Sequence, residues 1–483
     1  MNYCKIFASN TSSSLIVPTR FLFLILSIFC AINSVSAKKS PPAKKNYNVL
    51  FIAVDDLNND MAVYAHSLVK TPNIDKLASK GVLFNRAYCQ YTLCNPSRAS
   101  LLTGLTPDQT KVYDLVTHFR SNVPDVITLP ELYKQNNYYT ARVGKIFHYD
   151  VPKGIGTSGL DDPISWQKVI NPIGKDKTED FKIKDFAPGK GVGGNFKYLE
   201  SEYPDEEQTD GKVAMEAINL LRENKDKPFF LAVGFYRPHT PYVAPKKYFD
   251  MYPVESIKLP EFPANDLDDI PAPALFSNPP NYGLDQLTLK KPIQAYYACI
   301  TFMDVQVGKV LDELERLKLA DKTIVVFWSD HGYSLGEHGQ WLKQTLFEKV
   351  DRVPLIIVAP GVSQKGKISN GLVELLDLYP TLAELSNLKA PKNVAGKSLT
   401  TLLKNPNASW KRPAFTQLQR KDIMGYSVRT DRWRYTEWDG GKAGVELYDY
   451  QTDPNEFTNL AKQQKYAATV QELTGLLKKY KQQ

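Results

Sequence analysis

Six short stretches hold the side chains best able to do chemistry. Asp55 and Asp56 follow the apolar run YNVLFIAV, and Asp330 and His331 follow TIVVFW. Continuous apolar runs of this length read as buried parallel strands, so both pairs are predicted at the C-terminal end of one sheet. Adjacent carboxylates repel each other and are stable together mainly when a cation or strong donors lie between them. An isolated Asp-Asp more often caps a turn. Two polar pairs at one sheet end instead point to three carboxylates and an imidazole around one divalent ion, with oxygen ligands favouring Ca2+ or Mg2+. The third stretch, CNPSR at 94–98, is predicted to open a helix with Cys94 near the N-cap and Pro96 in the first turn. Free N–H groups and the positive helix end would stabilise an oxyanion at residue 94, and Arg98 could hold a further anionic oxygen. A buried structural thiol is the ordinary role of a single cysteine. VGKIFH carries Lys145 and His148 after a short strand, YRPHTPY holds His239 between two stiffening prolines, and Lys343 lies in GQWLKQT. Each of these, taken alone, is more often a surface or core group than a catalytic one.

Helices and strands alternate where these residues must be positioned. TPNIDKLASKG and RASLLTGL read as short helices, and TLPELYKQNNYYTARVGKIF as helix then strand. The same order recurs in GKVAMEAINLLRENKDKPFFLAVGF and in YACITFMDVQVGKVLDELERLKLADKTIVVFWSDHG. This alternation predicts an α/β fold with a mainly parallel sheet covered by helices on both faces. Residues 150–210 and 250–290, rich in Gly, Pro, Asp and Lys, are predicted as insertions over the sheet edge. Beyond about residue 390–405 the pattern becomes short aromatic runs separated by turns, then a helix from about Ala467. The expected organisation is a signal peptide at 1–37, a linker at 38–46, a catalytic domain at 47–395, and a smaller α+β subdomain at 396–483 with an antiparallel sheet.

Composition bounds the function classes. The 483 residues are 43% hydrophobic and 23% charged, enough for one large domain plus an appendage. The first 37 residues have no acidic side chain and contain FLFLILSIFCAI before NSVSA, the form of a leader cleaved after Ala37. That run is shorter than the roughly 20 residues of a membrane span, so export to the periplasm or medium is expected, without a stable membrane partner. Removing Lys5 and Arg20 lowers the formal charge from +8 to +6, and the remaining basic residues are scattered, which disfavours nucleic acid as a partner. Cys4 and Cys30 lie in the leader. The three others, Cys89, Cys94 and Cys299, are an odd number, so in an oxidising compartment at least one is unpaired or chemically altered, and Cys94 is the candidate.

CNPSR matches the Cys-x-Pro-Ser-Arg signature of the type I sulfatases, in which an enzyme oxidises the cysteine to formylglycine during export. The resemblance extends over nearly the whole mature chain through VDDL, CNPSRASLLTG, VGKIFH, GFYRPHTPY, SDHGYSLGEHGQWLK and VPLIIVAPG, in that order. The motifs GK-x-FH and PH-x-P, with His331, are most similar to iduronate 2-sulfatase and its bacterial polysaccharide-sulfatase relatives. The resemblance implies an alkaline-phosphatase-like fold and a single cation, Ca2+ before Mg2+, held by Asp55, Asp56, Asp330, His331 and the modified residue 94. It implies that Lys145, His239 and Lys343 face the sulfate or departing oxygen and that His148 contacts the formylglycine diol. The implied partners are a sulfated carbohydrate substrate and a formylglycine-generating enzyme. A phosphonate or phosphodiester hydrolase of the same superfamily and a non-catalytic glycan-binding homologue are the competing readings. The two long insertions, with Tyr333 and Gln344 expected beside the sugar, depart from the animal enzyme and direct the substrate expectation to sulfated polysaccharides, such as algal ulvan.

Overall fold

The central strands are buried along both faces, which is why their sequences are unbroken apolar runs rather than alternating ones. The computed structural model describes residues 47–190 and 192–482. The expected signal peptide and linker lie outside the described residues. The main sheet contains Asn48–Val54 (β1), Val82–Tyr88 (β2), Tyr139–Gly144 (β3), Lys168–Ile170 (β4), Phe229–Phe235 (β5), Thr323–Ser329 (β6), Arg352–Val353 (β7), Leu355–Val358 (β8) and Lys367–Glu374 (β9). β6, β1, β5, β3 and β4 run side by side in that order, all parallel. β7 and β8 form one antiparallel line between β6 and β2, broken at Pro354, and β9 pairs parallel with the far edge of β2. The mainly parallel sheet expected from the sequence is therefore present, and the second expected insertion shares none of its strands.

Alternate residues of β1 enter two cores. Leu50, Ile52 and Val54 face Pro72–Ala78 (α1), and Val49, Phe51 and Ala53 face Cys94–Thr103 (α2) and Leu129–Gln135 (α3). Thr209–Glu223 (α4) and the long Gln286–Arg316 (α5) complete the first layer, and Leu378–Leu385 (α6) the second. α3 starts at a capping box in which Thr128 and Glu131 satisfy each other's backbone N–H. α5 begins inside the stretch read as insertion, because Asp285 accepts from Thr288 N at 3.0 Å and caps it. The polar composition around the cap hid that helical turn from the sequence reading.

Ala414–Arg420 (β10), Ile423–Arg429 (β11), Trp433–Trp438 (β12) and Gly444–Asp449 (β13) form an antiparallel sheet in chain order. Ala467–Tyr480 (α7) covers one face through Leu473 and Leu477. Leu418, Trp438 and Tyr448 on the other face meet Tyr91 and Leu93, just before Cys94, and Leu346 and Phe347, just after Lys343. Gln417 N donates to Gln90 O at 3.0 Å and Thr416 Oγ1 to Cys89 O at 2.7 Å. Arg434, with no exposed side-chain surface, reaches Asp351 Oδ1 at 3.0 Å, Glu456 Oε1 at 2.6 Å and Leu346 O at 3.2 Å. This small sheet braces both chain segments that lead into the polar centre. Arg434→Met leaves buried carboxylates without their counter-charge and is expected to destabilise the fold by about 3–5 kcal/mol, read as a lower urea midpoint. An unchanged midpoint would remove Arg434 from this bracing role.

Candidate active site

Sheet register delivers the polar residues together. Val54 lies beside both Ser329 and Phe235, and Gly144 beside Gly234. The next residues of four neighbouring strands are therefore Asp330 and His331 after β6, Asp55 and Asp56 after β1, the His239 loop after β5, and Lys145 to His148 after β3. Gly144 makes the last turn possible: its φ is 72°, and a Cβ there would sit 2.1 Å from Gly234 O. α2 points its N-terminus into the same space, with Leu93 as N-cap and Cys94 as its first helical residue.

The carboxylates form a buried cradle. Ligand atoms of Asp55, Asp56, Cys94 and His239 lie within 4.8 Å of one another, as do those of Cys94, Asp330 and His331. His331 Nε2 is 3.3 Å from both Asp56 Oδ1 and Cys94 Sγ. Its Nδ1 is 2.9 Å from Gly332 O, which can only accept, so Nδ1 carries a proton and Nε2 is aimed inward. Asp56 Oδ2 is buried without a hydrogen-bond partner, and Asp56 itself is held at a φ of 62°. An orphaned carboxylate oxygen, two further carboxylates and an inward imidazole nitrogen fit a divalent cation held by the five expected ligands. His239 also comes within ligand range.

Cations surround the thiol. Lys343 Nζ is 3.1 Å from Cys94 Sγ and 2.7 Å from Asp56 Oδ1, and Lys145 Nζ is 2.6 Å from Asp55 Oδ2. Burial opposes ionisation of Cys94, but Lys343, Lys145 and His331 outweigh it and hold the thiol well below its ordinary range. Burial likewise pushes Asp55 up, while Lys145, His239 and Arg98 together bring it below the usual carboxylate range. Burial pushes His148 down, with the Lys145 charge adding to it. That imidazole lies against Cys94, and neither ring nitrogen makes a well-formed hydrogen bond. His239 Nδ1 is 2.6 Å from Thr240 O and so carries a proton, leaving Nε2 at 4.0 Å from Asp55 Oδ2 and 3.8 Å from Asp56 Oδ2. Leu342 and Gln344, flanking Lys343, have φ of 76° and 72°. Such strain in non-glycine residues persists where surrounding structure enforces it.

All ten expected site residues converge, and the structure specifies one role and corrects one position. Arg98, expected to hold a further anionic oxygen, is fully buried and finds that oxygen on the protein's own carboxylates. It donates to Asp330 Oδ2 at 2.7 Å, Asp55 Oδ1 at 3.1 Å, and the carbonyls of Lys145 and Ile146 at 2.9 Å each. Its planar fork ties three loops together. Tyr333, expected beside the sugar, is fully buried, with its hydroxyl 2.9 Å from that of Tyr242. Alternation around a conserved-type motif cannot reveal that the chain turns inward after Gly332. Cys89, Cys94 and Cys299 are all free thiols. Ser97 Oγ donates to Asp330 O at 2.5 Å, and the Trp328 ring lies 5.7 Å from the Arg98 guanidinium. Both residues were visible inside the motifs, yet only the fold shows what they support. A cavity of about 410 Å3 between Asp60, His338, Lys349 and Glu456 includes none of the ten.

The sulfatase family model matches residues 47–388, and the C-terminal model of N-sulphoglucosamine sulphohydrolase matches 336–483. A sulfatase of Formosa agariphila is 36% identical, covering 96% of this chain and 92% of its own. Human iduronate 2-sulfatase is 34% identical over 87% of this chain and 90% of its own. A solved phosphonate monoester hydrolase of Agrobacterium radiobacter superposes with a TM-score of 0.75 at 23% identity, covering 89% of this chain and 94% of that one, which shows the shared alkaline-phosphatase-like fold. The chain belongs to the sulfatase family and is a sulfuric ester hydrolase.

Proposed function

We propose that the protein is an exported sulfatase of polysaccharides or oligosaccharides, with sulfated algal glycans such as ulvan as the substrate class. In this reading a formylglycine-generating enzyme converts Cys94 during export, the product works in the periplasm or medium, and the cradle takes Ca2+ before Mg2+. The observation that carries it is Cys94 at the start of α2, 3.1 Å from Lys343 and 3.3 Å from His331, beside an orphaned carboxylate oxygen. The thiol makes no disulfide, and an oxygen nucleophile there would meet the Lys343 ammonium and the His331 imidazole beside the carboxylates of the cradle. Iduronate 2-sulfatase is named for a sulfated uronate, which supports a sulfated glycan as substrate. Among the described residues, no helix is long and apolar enough to cross a membrane.

A bound cation supplies positive charge for the sulfate oxygens, and the hydrated aldehyde of formylglycine supplies the attacking oxygen. The protein's own groups do the rest. Lys145 and Lys343 neutralise an ester that already carries one negative charge, so that a second oxygen anion can approach. Asp330, tied to Arg98, is placed to favour proton loss from the nucleophile. His239 can carry a second proton on Nε2, beside Asp55 and Asp56, and donate it to the leaving sugar oxygen. His148, kept neutral by burial, can take the proton that must leave residue 94 when the sulfate is released.

Peptide mass spectrometry across residues 91–98 is expected to find the aldehyde or its hydrate when a maturase is co-expressed, together with turnover of nitrophenyl sulfate. Without the maturase, cysteine and nearly no turnover are expected. Full activity from the unmodified thiol would refute the reading.

Leaving-group chemistry distinguishes the two bases of the site. General-acid assistance contributes about 10²–10⁴-fold, and a phenolate needs little of it. His239→Ala should therefore lose kcat/KM on a sulfated sugar by far more than on nitrophenyl sulfate, while Lys145→Ala depresses both. Equal losses in His239→Ala would transfer the acid role to Lys343.

A further inference from the structure

The residue between Cys94 and Pro96 is not idle. Asn95 is buried, and its Nδ2 donates to Asp114 O and to Thr117 O, both at 2.9 Å. Those two carbonyls bracket a turn that is also closed from within. Asp114 Oδ1 accepts from Val116 N at 2.9 Å and Thr117 N at 2.7 Å, and Oδ2 accepts from Thr117 Oγ1 at 2.8 Å. On the near side Tyr91 Oη donates to Tyr113 O at 3.1 Å, and Leu115 packs into the cluster containing Tyr91 and Leu93. On the far side the His118 ring stacks on Phe119 at 4.8 Å and Phe119 on Phe147 at 5.5 Å, next to His148. The turn is thus tied to the residue after the nucleophile and, through Phe119 and Phe147, to the residue before His148.

At its tip Val116 is 78% exposed. The turn is held by six hydrogen bonds of its own and its neighbours', so the side chain cannot fold back to cover itself. A stiff, β-branched apolar group on a turn tied to the residue after Cys94 offers a surface for the C–H face of a sugar ring. We propose that the turn at residues 114–117 is a wall of the substrate site, with Val116 contacting the sugar that carries the sulfate and Asn95 positioning the turn. The proposal rests on the sulfatase reading above and adds the specificity element to it.

The test uses matured full-length protein, with formylglycine content measured by mass spectrometry in each variant. The substrate is the best-cleaved sulfated disaccharide from ulvan and heparin digests, and inorganic sulfate is titrated as a competitive inhibitor that reports the cradle without the sugar. Val116→Ser removes two methyl contacts and is expected to raise KM for the disaccharide about tenfold, with kcat and the inhibition constant for sulfate moving far less. Val116→Ile, which keeps the apolar surface, should retain a KM near that of wild type. Asn95→Ala should reproduce the KM defect at equal formylglycine content. A Val116→Ser variant with wild-type KM, or a fall in sulfate affinity equal to the loss in disaccharide affinity, would overturn the proposal. Wild-type protein that cleaves no sulfate ester would instead overturn the functional reading on which it stands.

Discussion

Three carboxylates at the ends of two adjacent buried strands are an electrostatic liability that the rest of the structure must offset. Asp55, Asp56 and Asp330 have no exposed surface, and an uncompensated charge in such a place costs several kcal/mol even after relaxation. Arg98 answers two of them at once. Its Nε meets Asp330 and its Nη2 meets Asp55, while Nη1 spans two carbonyls of the Lys145 loop. A lysine could supply the charge but not four donors in one plane. The fixed fork makes the separation of β6 and β1, and the path of the chain after β3, parts of a single geometric constraint. Gly144 then becomes necessary, because no side chain fits where Lys145 must turn back toward that fork.

The C-terminal sheet serves the same constraint from outside. Cys94 and Lys343 belong to segments that are not strands of the main sheet, and neither is positioned by its register. Leu418, Trp438 and Tyr448 pack over the residues just before one and just after the other, and Arg434 joins them through Leu346 O, Asp351 and Glu456. The strained backbone on either side of Lys343 is tolerable because this packing over-determines it. Apolar burial thus supplies the free energy that holds an unfavourable loop conformation, and the loop conformation puts an ammonium group against the thiol.

Most of this centre was legible in the sequence because parallel strands end in polar residues at a common edge, and apolar runs mark those strands clearly. NVLFIAV and TIVVFWS predict where Asp55, Asp56, Asp330 and His331 must meet, whatever lies between them. Periodicity does not report side-chain direction in irregular segments. Tyr333 sits two residues after His331 and was read as facing a sugar, yet it turns into a stack with Tyr296, at 5.2 Å between rings. Arg98 reads from the sequence as a holder of an anionic oxygen, but which oxygen is not legible, since one arginine in a first turn can serve either side of a helix end. Asp285 and its cap were lost among prolines and glycines for a related reason: capping depends on one side chain, and composition averages it away.

The balance of charge also gives cysteine oxidation a physical purpose beyond creating a nucleophile. Arg98, Lys145 and Lys343 oppose Asp55, Asp56 and Asp330, so these six groups are nearly neutral as a set. Lys343, Lys145 and His331 favour the thiolate of Cys94, whose sulfur lies 3.1 Å from Lys343 Nζ. In the proposed mature form an uncharged aldehyde replaces that thiolate, and Lys343 loses its competing partner. A cation in the cradle would at the same time compete with Lys145 and Lys343 for the oxygens of Asp55 and Asp56, which they now hold at 2.6 and 2.7 Å. Both changes act in one direction: they convert lysines that neutralise the protein's own anions into lysines free to neutralise a sulfate. Maturation and cation loading would then be coupled through these two side chains, each making the centre more positive before any substrate arrives.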